Sequence, residues 1–174
     1  KNGKSVNTQG SNEEKPSQKI EDLTDTSGCI KNVSKGVSEQ QIYHVLRLEP
    51  GKDLYKCLLN YIDENKISAA TIVSCVGSLQ KIKIRTSSLS TLQKTNNYEI
   101  VSLVGNIGMD RTHVHIGLSD QEGNCLGGHL IREGNIVHTT AEICLVEFKD
   151  LLFSAKFDKE TDFNELYITP QNIS

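Results

Sequence analysis

Apolar and polar residues alternate along much of the chain, which is the pattern of β-strands that bury one face. Strands are predicted over residues 41–48, 68–85, 98–107, 112–118, 125–130 and 136–148. A different period occurs in residues 52–66, where Leu54, Leu58 and Ile62 recur at helical spacing and predict one helix. One helix among many strands predicts an α+β fold, a compact single domain whose mostly antiparallel or mixed β-sheet packs against that helix.

The segments outside these elements are predicted from their polarity. Residues 86–97 are predicted to form a loop, residues 149–157 to extend the sheet as an edge strand, and residues 163–167 to dock on the surface. Residues at the start of the chain show no apolar period, so we expect a disordered polar tail there. The predicted organisation is a tail over 1–38, one domain over 39–168 and a C-terminal tail over 169–174.

Composition and charge exclude several classes of protein. The 174 residues carry a formal net charge of −3, so no footprint for direct nucleic-acid binding is expected. No apolar run is long enough to span a membrane. The five cysteines are scattered singly, which favours an intracellular, cytoplasmic setting; a nuclear one has no support in the sequence. A short basic ridge, Lys81, Lys83 and Arg85, is more typical of a solvated strand face than of an anion site.

Three of the five histidines occur in two adjacent predicted strands. His113 and His115 are two residues apart and therefore share one face of their strand. After a polar turn, His129 lies on the return strand, and a register that pairs odd with odd positions places it opposite His113 or His115. A slip of one residue would turn His129 to the other face. Three converging imidazoles suit a divalent metal, and Zn²⁺ is the expected ion.

The fourth ligand of such a site decides its chemistry. If water holds that position, zinc can lower the pKa of the water toward ~7, and Glu142 on a neighbouring strand is the predicted general base or second-layer partner. Cys125 shares the predicted face of the histidines and is an alternative fourth ligand, which would close the site. The same histidines could also line a subunit interface, or bond to neighbours and water, without metal. Other candidates to orient the imidazoles are Asp110, Ser119 and Thr140.

The order of several short motifs resembles the PPC domain, the plants and prokaryotes conserved domain also known as DUF296. The similarity covers residues 43–148, with a weaker match at 162–166. Its motifs here are Leu46-x-Leu48-x-x-Gly51, Val76-Gly77-Ser78-Leu79, residues 98–107, His113-x-His115, Gly127-Gly128-His129-Leu130 and Thr140-Ala141-Glu142. The resemblance implies a homotrimer. In plant members the domain follows a DNA-binding AT-hook, which is absent here, and the three histidines resemble the stand-alone prokaryotic branch, in which they suit a metal.

Two functions follow from these observations. The first is a zinc-binding trimeric domain that acts on or senses a small polar metabolite through the three histidines; the residues leave open whether it is an enzyme and name no substrate. The alternative is a non-enzymatic regulatory module that recruits proteins without binding DNA directly. The resemblance implies partner contacts for one segment, whose residues here are Tyr98, Glu99, Ile100, Val101, Ser102 and Leu103. The plant counterpart carries an Arg that this chain lacks.

Overall fold

Eight strands and one helix make up the part of the chain that the computed structural model describes, residues 34–172. The predicted tail over 1–38 lies mostly outside these residues. The elements are β1 Gln41–Leu48, α1 Leu54–Glu64, β2 Ala69–Arg85, β3 Thr91–Gly108, β4 Thr112–Ser119, β5 Cys125–Leu130, β6 Ile136–Phe148, β7 Leu151–Asp158 and β8 Phe163–Pro170. The domain is thus dominated by β-sheet, and its helix is a minor part of the α+β fold that the alternation predicts.

Six strands form one antiparallel sheet in the order β1-β6-β2-β3-β4-β5. The last strand, β5, also pairs with the end of β2, where Ile84 lies opposite Leu130 and Arg85 opposite His129. The sheet therefore curls back on itself. The apolar positions of each strand point inward, and Leu79, Leu103 and Leu118 are among the fully buried side chains. Each buried side chain of this size contributes roughly 1.5–3 kcal/mol to folding.

The helix α1 supplies part of the core of the curled sheet. Leu54, Leu58 and Ile62 form its buried stripe, as the helical spacing predicts. Asp53 caps the helix by accepting a hydrogen bond from the Lys56 amide at 3.1 Å, and its second carboxylate oxygen accepts one from Gly134 N at 2.7 Å. That side chain therefore fixes both the start of the helix and the turn before β6. Within residues 34–172, no helix is long and apolar enough to cross a membrane.

The structure contradicts the predictions for two segments, the loop over 86–97 and the edge strand over 149–157. Residues 91–97 are not a loop, because β3 begins at Thr91 and pairs with residues 81–85 of β2. Only Leu92 among them packs against the core, so backbone pairing with β2 forms strand from a polar sequence. Residues 151–158 do not extend the main sheet; they pair with β8 in a separate two-stranded sheet. Leu151 and Phe153 of this small sheet bury a second apolar cluster, and β8 runs from Phe163 to Pro170.

A fourth histidine, His44, takes part in a buried hydrogen-bond network on the inner face of the sheet. His44 Nε2 lies 3.0 Å from the carboxylate of Glu147, which is only 4% exposed, and His44 Nδ1 lies 2.9 Å from the Tyr61 hydroxyl. Lys149 Nζ donates to the other Glu147 oxygen at 3.0 Å. The buried carboxylate therefore has partners for both oxygens, as a buried charge requires. His44 is therefore a packed histidine with a partner at each ring nitrogen.

Candidate metal centre

The register of the β4–β5 hairpin brings the three histidines together. His115 lies opposite His129 and Gly117 opposite Gly127, so odd positions pair with odd positions, which is the register that the three-histidine site requires. The intervening side chains Val114 and Ile116 of β4 are 1% and 2% exposed and point into the core. Because the side chains of a strand alternate, this inward anchoring turns the histidines to the outer face of the sheet, the face away from the core.

The three imidazoles form a compact cluster. Their ring centroids are 4.9 Å apart for His113 and His115, 5.3 Å for His113 and His129, and 5.5 Å for His115 and His129. One nitrogen from each ring lies within 4.8 Å of the others. The Nε2 atoms of His113 and His115 are 3.1 Å apart. Two nitrogens bound to a tetrahedral zinc at ~2.0–2.1 Å lie about 3.3 Å apart, so this pair needs little movement to share an ion.

Two glycines allow β5 to lie close to its neighbours at the site. A Cβ at Gly127 would come within 2.5 Å of Ile116 O, and a Cβ at Gly128 within 2.5 Å of Arg85 O. Neither position has room for a side chain, because the obstacle is backbone. The chain thus approaches its neighbours closely at Gly127-Gly128, and this places His129 between β4 and β2.

Burial and positive charge keep two of the imidazoles neutral. Loss of solvent lowers the pKa of His129 to about 4, with the charge of Arg85 as the next cause. Burial also lowers the pKa of His113, and the positive charge of Arg111 is the next cause. Both rings are therefore uncharged at neutral pH. Because a metal binds only the neutral ring, protons do not compete for these two ligands at neutral pH.

Arg111 is a site residue that the sequence does not single out. It directly precedes β4, and its Nη2 donates to His113 Nδ1 at 3.0 Å and to Glu165 Oε2 at 3.1 Å. Its Nε also donates to Asn164 O at 3.3 Å, so it ties β8 to the histidines. With Nδ1 accepting, His113 carries its proton on Nε2 and donates it to His115. A cation bound at His113 Nε2 would displace this proton and break the bond from Arg111.

Arg85 is the second residue with an unexpected environment. It is the last residue of β2 and lies opposite His129, so it does not stand on a solvated face as the basic ridge suggests. The sequence shows a positive residue at the end of a predicted strand. It does not show that β5 pairs with β2, because this pairing joins residues 44 positions apart.

The structure does not bring Glu142 to the histidines. Glu142 is exposed on the outer face of β6, opposite Val76 and Arg47. Glu142 lies opposite Val76 of β2, whereas His129 lies opposite Arg85 of the same strand. Nine residues of extended strand, about 30 Å, separate these two positions, which is beyond the reach of a general base or an orienting partner. Cys125 also lies away from the site, because four residues of extended strand, about 13 Å, separate it from His129.

The other candidates to orient the imidazoles have different roles. Asp110 accepts a hydrogen bond from Ala155 N at 2.9 Å, and Ser119 donates to Asp120 O at 3.4 Å. Thr140 lies on β6, and its buried hydroxyl has no hydrogen-bond partner among the described residues. Glu165, which pairs with Arg111, is a carboxylate near the three histidines that the sequence does not indicate. The sequence predicts residues 163–167 to dock on the surface, whereas they belong to β8.

The predicted partner-binding segment is a central strand with one face in the core. Tyr98, Ile100 and Leu103 are 4%, 6% and 1% exposed, so these three side chains are not available to another protein. Glu99, Val101 and Ser102 are exposed on the outer face. Both edges of β3 are paired, so a partner could use only that face.

The donor set of the cluster fits a zinc ion. His129 Nδ1 is buried and has no hydrogen-bond partner among residues 34–172, which is costly unless something else bonds to it or to the ring. Three imidazole nitrogen donors on one face match the ligand type of catalytic zinc sites that keep one position open. The lining therefore suits a transition metal better than Ca²⁺ or Mg²⁺, which prefer oxygen ligands.

The chain is a domain built on a curled antiparallel sheet with one helix. It belongs to the Plants and Prokaryotes Conserved (PCC) domain family, whose model matches residues 35–149. The resemblance drawn from the sequence motifs is thereby confirmed.

Known relatives agree with this assignment. The bifunctional protein GlmU of Synechococcus sp. (strain JA-3-3Ab) is 35% identical over 129 residues, which are 71% of this chain but only 20% of that relative. This chain thus spans about a fifth of that protein. A hypothetical protein from Salmonella cholerae-suis has a TM-score of 0.76 at 31% identity, over 79% of this chain and 99% of that one. The metal-containing protein AF0104 from Archaeoglobus fulgidus has a TM-score of 0.63 at 26% identity, over 77% and 97%.

Proposed function

We propose that this chain is a zinc-binding domain that acts on or senses a small polar metabolite at the three-histidine site. His113, His115 and His129 are the proposed ligands of one Zn²⁺. One observation carries the proposal: a nitrogen of each ring lies within 4.8 Å of the others on one face of a hairpin. The metal-containing relative from Archaeoglobus fulgidus supports it by analogy only, because that description belongs to that protein.

Several residues around the site position the three proposed ligands. The inward anchors Val114 and Ile116 fix the face of the two β4 histidines, and the close approach at Gly128 fixes His129. Without an ion, Arg111, paired with Glu165, donates to His113 Nδ1, and an ion bound at Nε2 would replace that bond. A zinc ion held there would supply Lewis acidity, with room for an exogenous ligand because no fourth protein ligand lies among the described residues of the cluster.

Zinc content tests this function directly. Protein reconstituted with Zn²⁺ and dialysed is expected to retain about one equivalent per chain by elemental analysis. The variant with both His113→Ala and His115→Ala should retain almost none while its circular dichroism spectrum stays that of the folded domain. Retention of less than about a tenth of an equivalent by the unaltered protein would remove the proposal. Unfolding of the double variant would instead make the ion structural.

We further propose that the chain forms a homotrimer through the outer face of its main sheet. Apolar side chains are exposed along this face: Val73, Val76, Val101 and Val104 are 52%, 58%, 60% and 53% exposed. They lie on the two central strands β2 and β3, and a contiguous exposed apolar patch of this kind is typical of an interface. Val104 lies opposite His115, so the face continues to the metal centre.

The mass in solution tests the assembly. Light scattering during size exclusion is expected to give about three times the chain mass, and Val101→Lys with Val104→Lys should give the mass of one chain, because buried lysines at an interface lose hydration without partners. Ile42→Lys is the matched control, since Ile42 is exposed to 45% at the other end of the sheet order. A monomer in the unaltered protein would remove the trimer and favour the second function, a regulatory module whose exposed valines contact a different protein.

A further inference from the structure

A cavity of about 390 Å³ adjoins the histidine cluster and carries an excess of positive charge. Both His113 and His129 line it, together with Arg85, Arg111 and one carboxylate, Glu165. This volume is in the range of sites for small ligands. Two guanidinium groups face a single carboxylate. The cavity thus lacks the negative charge to balance its arginines.

The two arginines differ in how their charge is balanced. Arg111 is 13% exposed at its side chain and is paired with Glu165 at 3.1 Å. Arg85 is half-buried, and within residues 34–172 it forms no ion pair and no side-chain hydrogen bond. Arg85 lies opposite His129 in the strand register, so its charge is at the site. Its guanidinium group is therefore available to bond an external oxyanion.

A neighbouring cavity carries the same excess of positive charge. This space of about 550 Å³ shares Arg85, Arg111 and His129 with the smaller one. It adds one arginine and two carboxylates, Arg132, Asp63 and Asp110, so three guanidinium groups face two carboxylates. Arg85 and Arg111 therefore line both spaces, and the smaller one is the space that His113 also lines. At the mouth of the smaller cavity, Leu89 and Phe163 are 63% and 61% exposed and offer apolar surface to the rest of a ligand.

We propose that Arg85 and Arg111 bind the oxyanion group, a carboxylate or a phosphate, of the small molecule that occupies the three-histidine site. The planar guanidinium fork matches either group with two parallel hydrogen bonds, which an ammonium cannot do. This assignment rests on the proposed function for the identity of the site, but the arginines bind the anion without any metal. The ligand then lies with its charged end on the arginines and its remainder beside the imidazoles and the apolar mouth.

Nuclear magnetic resonance on ¹⁵N-labelled, metal-free protein tests the anion site. Inorganic phosphate and acetate are titrated separately, with sodium chloride at matched ionic strength as the reference. We expect saturable shifts of the Nε–H signals of Arg85 and Arg111, while the signal of Arg47, exposed on β1, stays in place. Stronger binding of phosphate would identify a phosphate ester as the ligand class, and stronger binding of acetate a carboxylate.

A pair of variants decides whether Arg85 carries the binding. Arg85→Gln is expected to weaken binding of the better anion about 10-fold or more, because it removes a hydrogen bond between two charged groups. Arg47→Gln removes the same charge at a distant strand and should leave the affinity unchanged. Equal shifts with chloride, or equal affinities for the two variants, would overturn the proposal. If Arg85→Gln does not fold, the Arg85 and Arg47 signals of the unaltered protein still decide. Because no metal is present, absence of zinc binding and absence of anion binding are separate results.

Discussion

Replacing His129 by Ala is expected to lower the affinity for zinc by more than about 100-fold, since loss of an outer partner of a ligand alone costs 10–100-fold. His129 comes from β5 and the other two imidazoles from β4, so its removal leaves only two neighbouring donors. The fold should survive. The lost Nδ1 has no hydrogen-bond partner among the described residues, so no bond is broken, and the stability of the metal-free protein should change by less than about 1 kcal/mol.

His138→Ala is the matched control for this experiment. It removes a histidine of similar burial from β6, outside the cluster. Competition with a zinc chelator measures the affinity of each variant, and urea unfolding of the metal-free forms measures stability. The two variants should have similar stabilities and affinities that differ by two orders of magnitude or more. Equal zinc affinities would exclude His129 as a ligand, and unfolding of His129→Ala alone would mean that the ring contributes to the core.

The hairpin could be predicted from the sequence because its determinants are local. The two-residue period of residues 112–118 assigns His113 and His115 to one face, and the odd–odd register needs only the short turn before Cys125. The same locality explains the success with α1, whose cap and stripe lie within a few residues of each other. Local patterns therefore predicted both the scaffold of the site and the faces of its strands.

The surroundings of the histidines could not be predicted, because they depend on distant pairing. Arg85 lies at the site because β5 pairs with the end of β2. Glu165 lies there because β8 pairs with β7 in a two-stranded sheet near Arg111. Glu142 illustrates the converse error. It lies on β6, which follows β5 directly in the sequence. In the strand order of the sheet, however, β6 is three positions away from β4. Sequence distance is a poor guide to neighbours in a sheet whose strand order departs from chain order.

Gly105→Ala is expected to destabilise the protein by about 1–3 kcal/mol and to weaken zinc binding as well. Gly105 lies in β3 opposite Val114, and a Cβ there would collide with the backbone carbonyl of His113. Since backbone cannot rotate away, β4 must move from β3 at the residue that carries the first imidazole. One methyl group on a neighbouring strand would thus act on both the sheet and the metal centre.

Gly117→Ala provides the comparison on the same pair of strands. A Cβ at Gly117 meets the Ser102 hydroxyl oxygen at 2.6 Å, and this side chain can turn aside, so the cost should stay below about 1 kcal/mol. Urea unfolding and chelator competition on both variants separate the two cases. Equal losses of stability would mean that β3 and β4 adjust freely, and then the spacing of His113 and His115 would not depend on the close strand approach at Gly105. A selective loss in Gly105→Ala shows that the spacing of the sheet holds the imidazoles in position to share an ion.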